Sequence, residues 1–564
     1  AVKSVERKVY GKTVNKVEYT NTLISGLNSR IFTYVATYSK EQNYEYTSGA
    51  LLSTTENAFT YDNYGNVTKL VTTVGSNVTT NTNTYTNNES NWLLGRLTKA
   101  VVNKKNGTED ITLTTNYAYD PNNGMLVREE YDPGDIALGY AKTYTHDMFG
   151  NIIESTTIPQ DTSQPASTVK TEYDAAGRFI VKSIDNMGFS TVNTINYDLG
   201  VVTSTKDPNN YETQFEYNKF GRLLATKTAI GYEQSAYQWV NGHNDAPSNA
   251  VFYKCTEIKG ITPVLEFYDI LGRIIRTVTE GFNSQKIYTD VVYNAKGQIE
   301  KTSEPYFAGQ TIYWNRNEYD NIGRVSKQVY ADNSAYTFQY NGFETTTTDP
   351  LGNKTIKKVD AYGNLVESTD AKEGKVSYTY DVSNNCTKVV SPRTTVITTY
   401  DKAGNKRTQV DPDMGTSTYI YNCYKELLSK TSNGKTISYQ YDLLGRLMKE
   451  ISPDGEIAYA YDTRWKGKLD KVTSNNGTSE EYFYDTHGRV TKTIEIIQDK
   501  TFTTETTYNT ANNLPENTTY PSGLRVKNEY DASGRLLSVK NSATDYTYWT
   551  ASKRNARGQL ESIA

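Results

Sequence analysis

The chain has 564 residues, and only 36% of them are hydrophobic, with 48 Tyr against 15 Phe and 5 Trp. Its formal charge is −4, from 60 Lys and Arg and 64 Asp and Glu interspersed along the sequence, which excludes a concentrated basic surface for nucleic acid or anionic membrane. The three cysteines are too few for a disulfide scaffold, and no apolar run approaches the roughly 18 residues of a membrane-spanning helix.

The first 60 residues predict an irregular β-rich region. The segments KSVERKVYGKTVNKVEYTN and YVATYSKEQNYEYTSGALL alternate in the manner of strands, and they carry no regular repeat. We predict that residues 1–60 join a repeat array that occupies residues 61–564. The chain begins without a signal peptide and stops after NARGQLESIA, in the middle of a repeat, so we expect it to be a segment of a longer protein.

From Tyr61 onward one motif recurs: a tyrosine, an aspartate, two variable residues, a glycine and often an arginine. It reads YDAAGRF from Tyr173, YDILGRI from Tyr268 and YDLLGRL from Tyr441. In the C-terminal half the motif returns every 20 to 24 residues. Its tyrosines there are Tyr380, Tyr400, Tyr421, Tyr441, Tyr461, Tyr484, Tyr508 and Tyr530.

Each repeat predicts a β-hairpin. Large apolar and polar residues alternate before the motif, strand-forming residues follow it, and Asp and Gly are the residues that a type I turn with a glycine bulge requires. One hairpin is marginal in water, so the units must pair edge to edge, which would bring tyrosines of neighbouring repeats together. A long antiparallel sheet twists, so we predict an all-β fold, a long array of antiparallel β-hairpin repeats that coils or closes like a barrel.

One stretch, near residues 231–262, interrupts the array. It contains YQWVNGHNDAPSNAVFYKC, and we predict a long loop at the surface or in the lumen. His243 and Cys255 lie there and could in principle act as base and nucleophile, but no third orienting group can be argued. The other two histidines, His146 and His487, occupy motif turns, where side chains normally face solvent.

The motif itself predicts a structural role. One aspartate in about 20 residues is too sparse for a calcium site with 6–8 oxygen ligands. Several copies are degenerate, among them those at Asp360, Tyr421 and Tyr461, and a catalytic site used in every copy would not tolerate such losses. We therefore predict no catalytic residue, no cofactor and no metal. For Arg446, after the turn glycine, we expect an ion pair to a neighbouring repeat.

The motif resembles the tyrosine-aspartate repeat of bacterial RHS proteins and of the animal teneurins. The resemblance runs from about Tyr61 to the end, and NWLLGRLTKAVV, YPSGLRVKNEYDASGRL and YWTASKRNARGQL are similar to segments of the B component of insecticidal toxin complexes. It implies a hollow shell spiralled from hairpins around a C-terminal toxin. Related shells carry a self-cleavage site around Asp-Pro; here Asp349-Pro350 and Asp411-Pro412 lie in mid-array, and we interpret them as turns.

The resemblance implies a structural, non-enzymatic function. The chain would be part of an RHS-repeat shell of a secreted bacterial toxin, and its partner would be its own C-terminal toxin or effector domain, with other toxin-complex or secretion components as further partners. Neither nucleic acid nor a membrane span is expected. The alternative is a secreted adhesin that binds glycans through repeated aromatic residues. A glycosidase with two acidic residues is a third hypothesis, for which no distinctive acidic pair stands outside the repeats.

Overall fold

The protein is built from β-strands, as predicted. The computed structural model describes residues 2–25, 32–107 and 109–563, and these contain 48 strands and one short 3-10 helix. The first half of the array comprises β1 Ser4–Val9, β2 Lys12–Ser25, β3 Phe32–Tyr44, β4 Leu51–Tyr61, β5 Val67–Val74, β6 Asn77–Asn88, β7 Leu93–Asn106, β8 Glu109–Tyr119, β9 Leu126–Tyr131, β10 Tyr140–His146, β11 Ile152–Pro159, β12 Ser167–Tyr173, β13 Ile180–Ile184, β14 Ser190–Asn196, β15 Val201–Lys206, β16 Glu212–Tyr217, β17 Leu223–Thr228, β18 Tyr232–Trp239, β19 Phe252–Ile258, β20 Ile261–Tyr268, β21 Ile274–Glu280, the 3-10 helix Phe282–Ser284, β22 Lys286–Tyr293, β23 Ile299–Ser303 and β24 Tyr306–Phe307.

The second half repeats shorter hairpins at a more even spacing. It comprises β25 Trp314–Tyr319, β26 Val325–Val329, β27 Ala335–Asn341, β28 Glu344–Thr348, β29 Lys354–Val359, β30 Leu365–Thr369, β31 Lys375–Tyr380, β32 Cys386–Val390, β33 Thr395–Tyr400, β34 Lys406–Asp411, β35 Gly415–Tyr421, β36 Leu427–Ser432, β37 Lys435–Tyr441, β38 Leu447–Ser452, β39 Gly455–Tyr461, β40 Leu469–Ser474, β41 Ser479–Tyr484, β42 Val490–Ile497, β43 Lys500–Tyr508, β44 Pro515–Thr519, β45 Arg525–Tyr530, β46 Leu536–Asn541, β47 Thr547–Arg554 and β48 Leu560–Ile563.

Most successive strands pair antiparallel through two kinds of turn that alternate along the chain, except that β24 pairs with β22 and β25 with β23. We call the turn that follows each Tyr-Asp dipeptide, or a degenerate copy of it such as Tyr421-Asn422 or Val359-Asp360, the YD turn, and the turn that leads to the next repeat the return turn. The register shifts by one residue just before a YD turn, as at Thr379/Tyr380 and Phe483/Tyr484. The glycine that ends the turn has positive φ, +75° at Gly445, which explains why a residue without a side chain stands there.

Burial is thin along the array and concentrated at one place. Most strand residues are half-buried, and the main buried apolar cluster is Phe267, Ile275 and Val278, which follows the predicted interruption of the array. In the part of the chain that the structure describes, no helix has the length and apolar character needed to cross a membrane.

The residues form two compact units. The first comprises Ala1–Lys170, Tyr319–Lys327 and Ala335–Arg446, and the second comprises Thr171–Glu318, Gln328–Ser334 and Leu447–Ala564. Each unit therefore combines early and late parts of the chain. The boundary that the sequence predicts at residue 60 stays a prediction.

Candidate functional site

The aspartate of the YD turn organises the turn around its carboxylate. In the repeat at Tyr441, Asp442 Oδ1 accepts hydrogen bonds from the backbone N–H groups of Leu444 (2.9 Å) and Arg446 (3.0 Å). Asp442 Oδ2 accepts the Arg446 Nε hydrogen at 2.7 Å. The guanidinium of Arg446 thus reaches the aspartate of its own turn, four residues earlier, and the predicted ion pair to a neighbouring repeat stays a prediction. The same pairs occur at Asp269–Arg273, Asp320–Arg324 and Asp485–Arg489.

The arginine links its repeat to the next one through an aromatic ring. The guanidinium carbon lies 4.4 Å from the ring centroid of Tyr293 for Arg273, and 4.3 Å from that of Tyr508 for Arg489. A cation over a ring face contributes about 0.5–1 kcal/mol at exposed sites and more where it is desolvated. One arginine thus holds its own turn closed and covers the tyrosine of the following repeat.

Asparagine replaces the arginine in a second class of YD turn. Its Nδ2 group donates to the same aspartate oxygen at 3.0 Å, and the backbone caps are retained. The amide keeps the turn closed and brings no positive charge to the next tyrosine. These turns include Asp360–Asn364, Asp381–Asn385 and Asp401–Asn405.

The tyrosine of the motif ties each repeat to the one before it. Its hydroxyl donates to the backbone carbonyl of a residue that opens or precedes the second strand of the previous repeat, at 2.6–3.0 Å in the C-terminal half. Burial raises the pKa of Tyr441, Tyr484 and Tyr508, so these phenols stay protonated donors at physiological pH. The bonds are Tyr380 to Leu365, Tyr400 to Cys386, Tyr441 to Leu427, Tyr461 to Leu447, Tyr484 to Leu469, Tyr508 to Val490 and Tyr530 to Pro515.

Removing one hydroxyl of this ladder should weaken the array by about 1 kcal/mol. In a Tyr484→Phe variant the Leu469 carbonyl loses its hydrogen-bond donor while the ring stays in place. About 1 kcal/mol is the typical net contribution of one intramolecular hydrogen bond. Amide hydrogen exchange in β40 and β41 would measure the loss. Tyr520→Phe, at a half-exposed ring in a return turn, is the matched control, and equal effects of the two variants would contradict the ladder.

In the first unit, YD turns contact return turns that lie far earlier in the chain. Tyr424 donates its hydroxyl to the Pro165 carbonyl at 2.8 Å, and the Lys402 ammonium lies 3.0 Å from an Asp135 carboxylate oxygen. The Val382 N–H donates to Glu109 Oε2 at 2.9 Å. We call such a contact between a YD turn and an earlier return turn a seam.

The second unit contains seams of the same kind. The Lys466 N–H donates to Asn209 Oδ1 at 2.8 Å, and Asn209 Nδ2 donates back to the Lys466 carbonyl at 3.1 Å. The Thr262 N–H donates to the Ala532 carbonyl at 2.9 Å. Each seam hydrogen bond lies within one unit, and these bonds join residues separated by 253 to 283 positions in the sequence. Within each unit, contacts between turns therefore join distant parts of the array.

A buried polar network anchors the segment between β18 and β19, where sequence analysis predicted a surface or lumen loop. Asp245 is only 6% exposed, and its carboxylate accepts hydrogen bonds from Tyr288 and Lys286, both at 2.7 Å. Arg276 donates to the Asp245 carbonyl and makes a two-point ion pair with Asp290, at 2.6 and 2.8 Å. Charged side chains that are ion-paired or hydrogen-bonded therefore attach the loop to the sheet.

The structure shows the surroundings of His243 and Cys255, which the sequence analysis considered as base and nucleophile. His243 packs against the rings of Tyr253 and Phe267, and its Nδ1 accepts the Asp245 N–H at 3.2 Å. Burial raises the pKa of Cys255, which favours the thiol over the nucleophilic thiolate.

The remaining candidates lie in turns. The ring of His487 packs edge-on against Tyr211 at 5.8 Å, and His146 ends β10. Asp349 and Asp411 each accept backbone N–H bonds within their own turn, at 2.9 Å from Leu351 and from Asp413. Among the residues described, no three His, Cys, Asp or Glu side chains come close enough together to hold a metal ion.

The fold of this chain is similar to that of solved proteins. Residues 359–396 match the RHS repeat family model. No curated protein matches the chain by sequence. The crystal structure of TcdB2-TccC3-Cdc42 is similar over 97% of this chain and 41% of that one, with 12% identity and a TM-score of 0.79. The Tc holotoxin pore of Photorhabdus luminescens is similar over 97% of this chain and 40% of that one, with 12% identity and a TM-score of 0.80. The chain spans about two fifths of the length of these solved chains.

Proposed function

We propose that this RHS-repeat protein forms part of the wall of a shell that encloses a C-terminal toxin or effector polypeptide of a secreted bacterial toxin. The observation that carries the proposal is the set of seams. Hairpins are joined to their neighbours by the tyrosine ladder, and stretches more than 250 residues apart are joined edge to edge by YD turns on return turns. A wall with bonds in both directions is what containment of a polypeptide requires.

The chain would act by enclosure and without catalysis. The motif aspartates hold backbone N–H groups and guanidinium or amide donors, as at Asp442, so their carboxylates are committed to the turn. The motif tyrosines are committed as well, with the hydroxyl on a carbonyl and, at Tyr293 and Tyr508, a guanidinium over the ring. This use of the aromatic residues takes support away from the glycan-binding adhesin.

The test is protection of the C-terminal polypeptide in the full-length protein. We expect that polypeptide to resist a non-specific protease while the array is folded. A Lys402→Glu variant, which places a carboxylate against Asp132 and Asp135, should open the seam and expose the cargo to digestion. Like charges in place of an ion pair repel, and the groups here are half-buried.

The control is Lys449→Glu, which removes an ion pair to Glu456 (2.8 Å) across a single return turn. It should leave protection unchanged. Equal digestion of the cargo in the wild-type protein and in a detached cargo domain would overturn the proposal, and so would electron micrographs that show the full-length protein as an open, extended fibre.

A further inference from the structure

Four successive YD turns in the first unit have no arginine. Each is closed by an amide nitrogen that donates to a carboxylate oxygen, at 3.0 Å in the first three turns and 2.6 Å in the fourth, where the two residue types have exchanged places. The strands that carry these turns, from β29 to β36, we call the amide segment. The closing pairs are Asp360–Asn364, Asp381–Asn385, Asp401–Asn405 and Asn422–Glu426.

An amide closes its own turn but cannot perform the second task of the arginine. At the arginine turn at Asp320, which precedes the segment, the guanidinium carbon of Arg324 lies 4.1 Å from the ring centroid of Tyr340. An asparagine side chain is shorter and neutral, and a glutamate is negative, so neither offers a cation to the face of a ring. The four turns therefore leave out the arginine–ring contact that joins arginine repeats to their neighbours.

The tyrosine ladder is also incomplete in the amide segment. Val359 stands where the motif has tyrosine, so this repeat has no hydroxyl to donate. Among the residues that the structure describes, the Tyr421 hydroxyl donates to no carbonyl. Tyr380 and Tyr400 retain their ladder bonds, at 2.9 and 3.0 Å. Two of the four repeats thus lack both kinds of link, and the stability of a repeat array depends on contacts between nearest neighbours.

Seams hold the tips of these turns. The Lys402 ammonium lies 3.0 Å from an Asp135 carboxylate oxygen and 3.5 Å from one of Asp132, and all three side chains are partly buried. The Tyr424 hydroxyl adds a hydrogen bond of 2.8 Å to the Pro165 carbonyl. The segment is therefore weakly joined from repeat to repeat and is fastened at its tips to return turns far earlier in the chain.

We propose that the amide segment is a gate in the first unit: it opens as a local unit before the arginine repeats do, and the Lys402 ion pairs are its latch. Opening separates the YD tips from the earlier return turns and leaves the arginine repeats paired. Local opening free energies differ within one protein, and regions with few contacts open first. The proposal concerns the wall alone and does not rest on an enclosed polypeptide.

Native-state amide hydrogen exchange, read by mass spectrometry on the 564-residue protein, tests the gate. We expect β31–β36 to exchange about tenfold or more faster than β41–β43, the strands around Arg489, because an arginine–ring contact and a ladder bond together multiply protection by about that factor. Higher ionic strength should widen the difference, because salt weakens the attraction between Lys402 and the two aspartates.

Arginine in these turns should close the gate. Asn385→Arg with Asn405→Arg recreates the Asp–Arg pair in two turns and places a cation over Tyr400 and Tyr421, so exchange in the amide segment should slow about fivefold or more. The matched control is Asn385→Gln with Asn405→Gln, which retains a neutral amide, as Gln298 does at the same position of its own turn. It should leave the exchange rates unchanged.

Loss of the latch should open the gate. Lys402→Met should quicken exchange in the amide segment and leave β41–β43 at wild-type rates. The matched control is Lys375→Met, which removes an exposed ion pair to Glu367 (3.4 Å) between two strands of the segment and should have little effect.

Three results would each overturn the gate. They are equal exchange of wild-type β31–β36 and β41–β43, an arginine variant that exchanges as fast as wild type, and a Lys402→Met variant that behaves like Lys375→Met. The first comparison needs no variant, so it stands even where a substitution prevents folding. Protection of a C-terminal polypeptide is a separate measurement, so failure of the gate and failure of the proposed enclosure are distinguishable.

Discussion

Replacing Asp290 with alanine should destabilise the strands around it by about 3–5 kcal/mol, the cost of removing one partner of a buried ion pair. Asp290 is 8% exposed, and its two carboxylate oxygens hold Arg276 Nε and Nη2 at 2.6 and 2.8 Å. Tyr306 donates its hydroxyl to the same carboxylate at 2.7 Å. Alanine would leave a half-buried guanidinium and a buried phenol without that acceptor.

The measurement is native-state amide hydrogen exchange in β20, β21 and β22, because a chain of this length need not unfold in one step. The matched control is Asp110→Ala, which breaks an exposed ion pair to Lys105 (2.9 Å) and should change stability far less, because solvent screens exposed pairs. A second variant that also replaces Arg276 with methionine should recover much of the loss, since most of the cost comes from the unpaired charge. Equal effects of Asp290→Ala and Asp110→Ala would contradict the network.

The local structure of the repeat could be predicted because its causes lie within a few residues. Asp442 and Gly445 predict the turn, since the carboxylate caps N–H groups two and four positions on and glycine accepts positive φ. Alternation of tyrosines with polar residues predicts the strands. The all-β array of antiparallel hairpins is therefore confirmed from residue patterns that a single repeat contains.

The contacts between repeats could not be predicted, because they depend on the register of the strands and on which distant turns meet. The Tyr484 hydroxyl reaches Leu469, which is 15 residues earlier, and only the one-residue shift before the YD turn decides which carbonyl it meets. The ion pair of Arg446 with the aspartate of its own turn, four residues earlier, is a contact that the sequence analysis did not name. Seam residues such as Glu109 and Asn209 carry no signal in the sequence, since their partners stand more than 250 residues away.

The network around Asp245 shows a third limit. An interruption of a repeat predicts a loop, and loops usually lie at the surface. Here the loop brings one buried aspartate to Lys286 and Tyr288, and the strands that follow supply Arg276 and Asp290. Charged residues scattered over about 45 positions show no spacing that would reveal the cluster before the strands are placed.

Phe267→Ala should produce the largest apolar loss among the residues that the structure describes, about 3–5 kcal/mol, the usual cost of emptying a buried phenylalanine site. Phe267 is fully buried (0% exposed) in the cluster with Ile275 and Val278, and the ring of Tyr253 lies 5.4 Å from its own. Amide exchange in β19–β21 should quicken accordingly. Phe149→Ala, the same substitution at a half-exposed turn position, should stay within about 0.5 kcal/mol.

The reach of the Phe267 effect tests how stability is shared along the array. If each repeat is held mainly by its neighbours through tyrosine hydroxyls and arginine–ring contacts, as at Tyr508 and Arg489, stability is a sum of local terms. Exchange in β42–β45 should then remain at wild-type rates in Phe267→Ala. Uniform loss of protection in every strand would show instead that the array unfolds as one cooperative body.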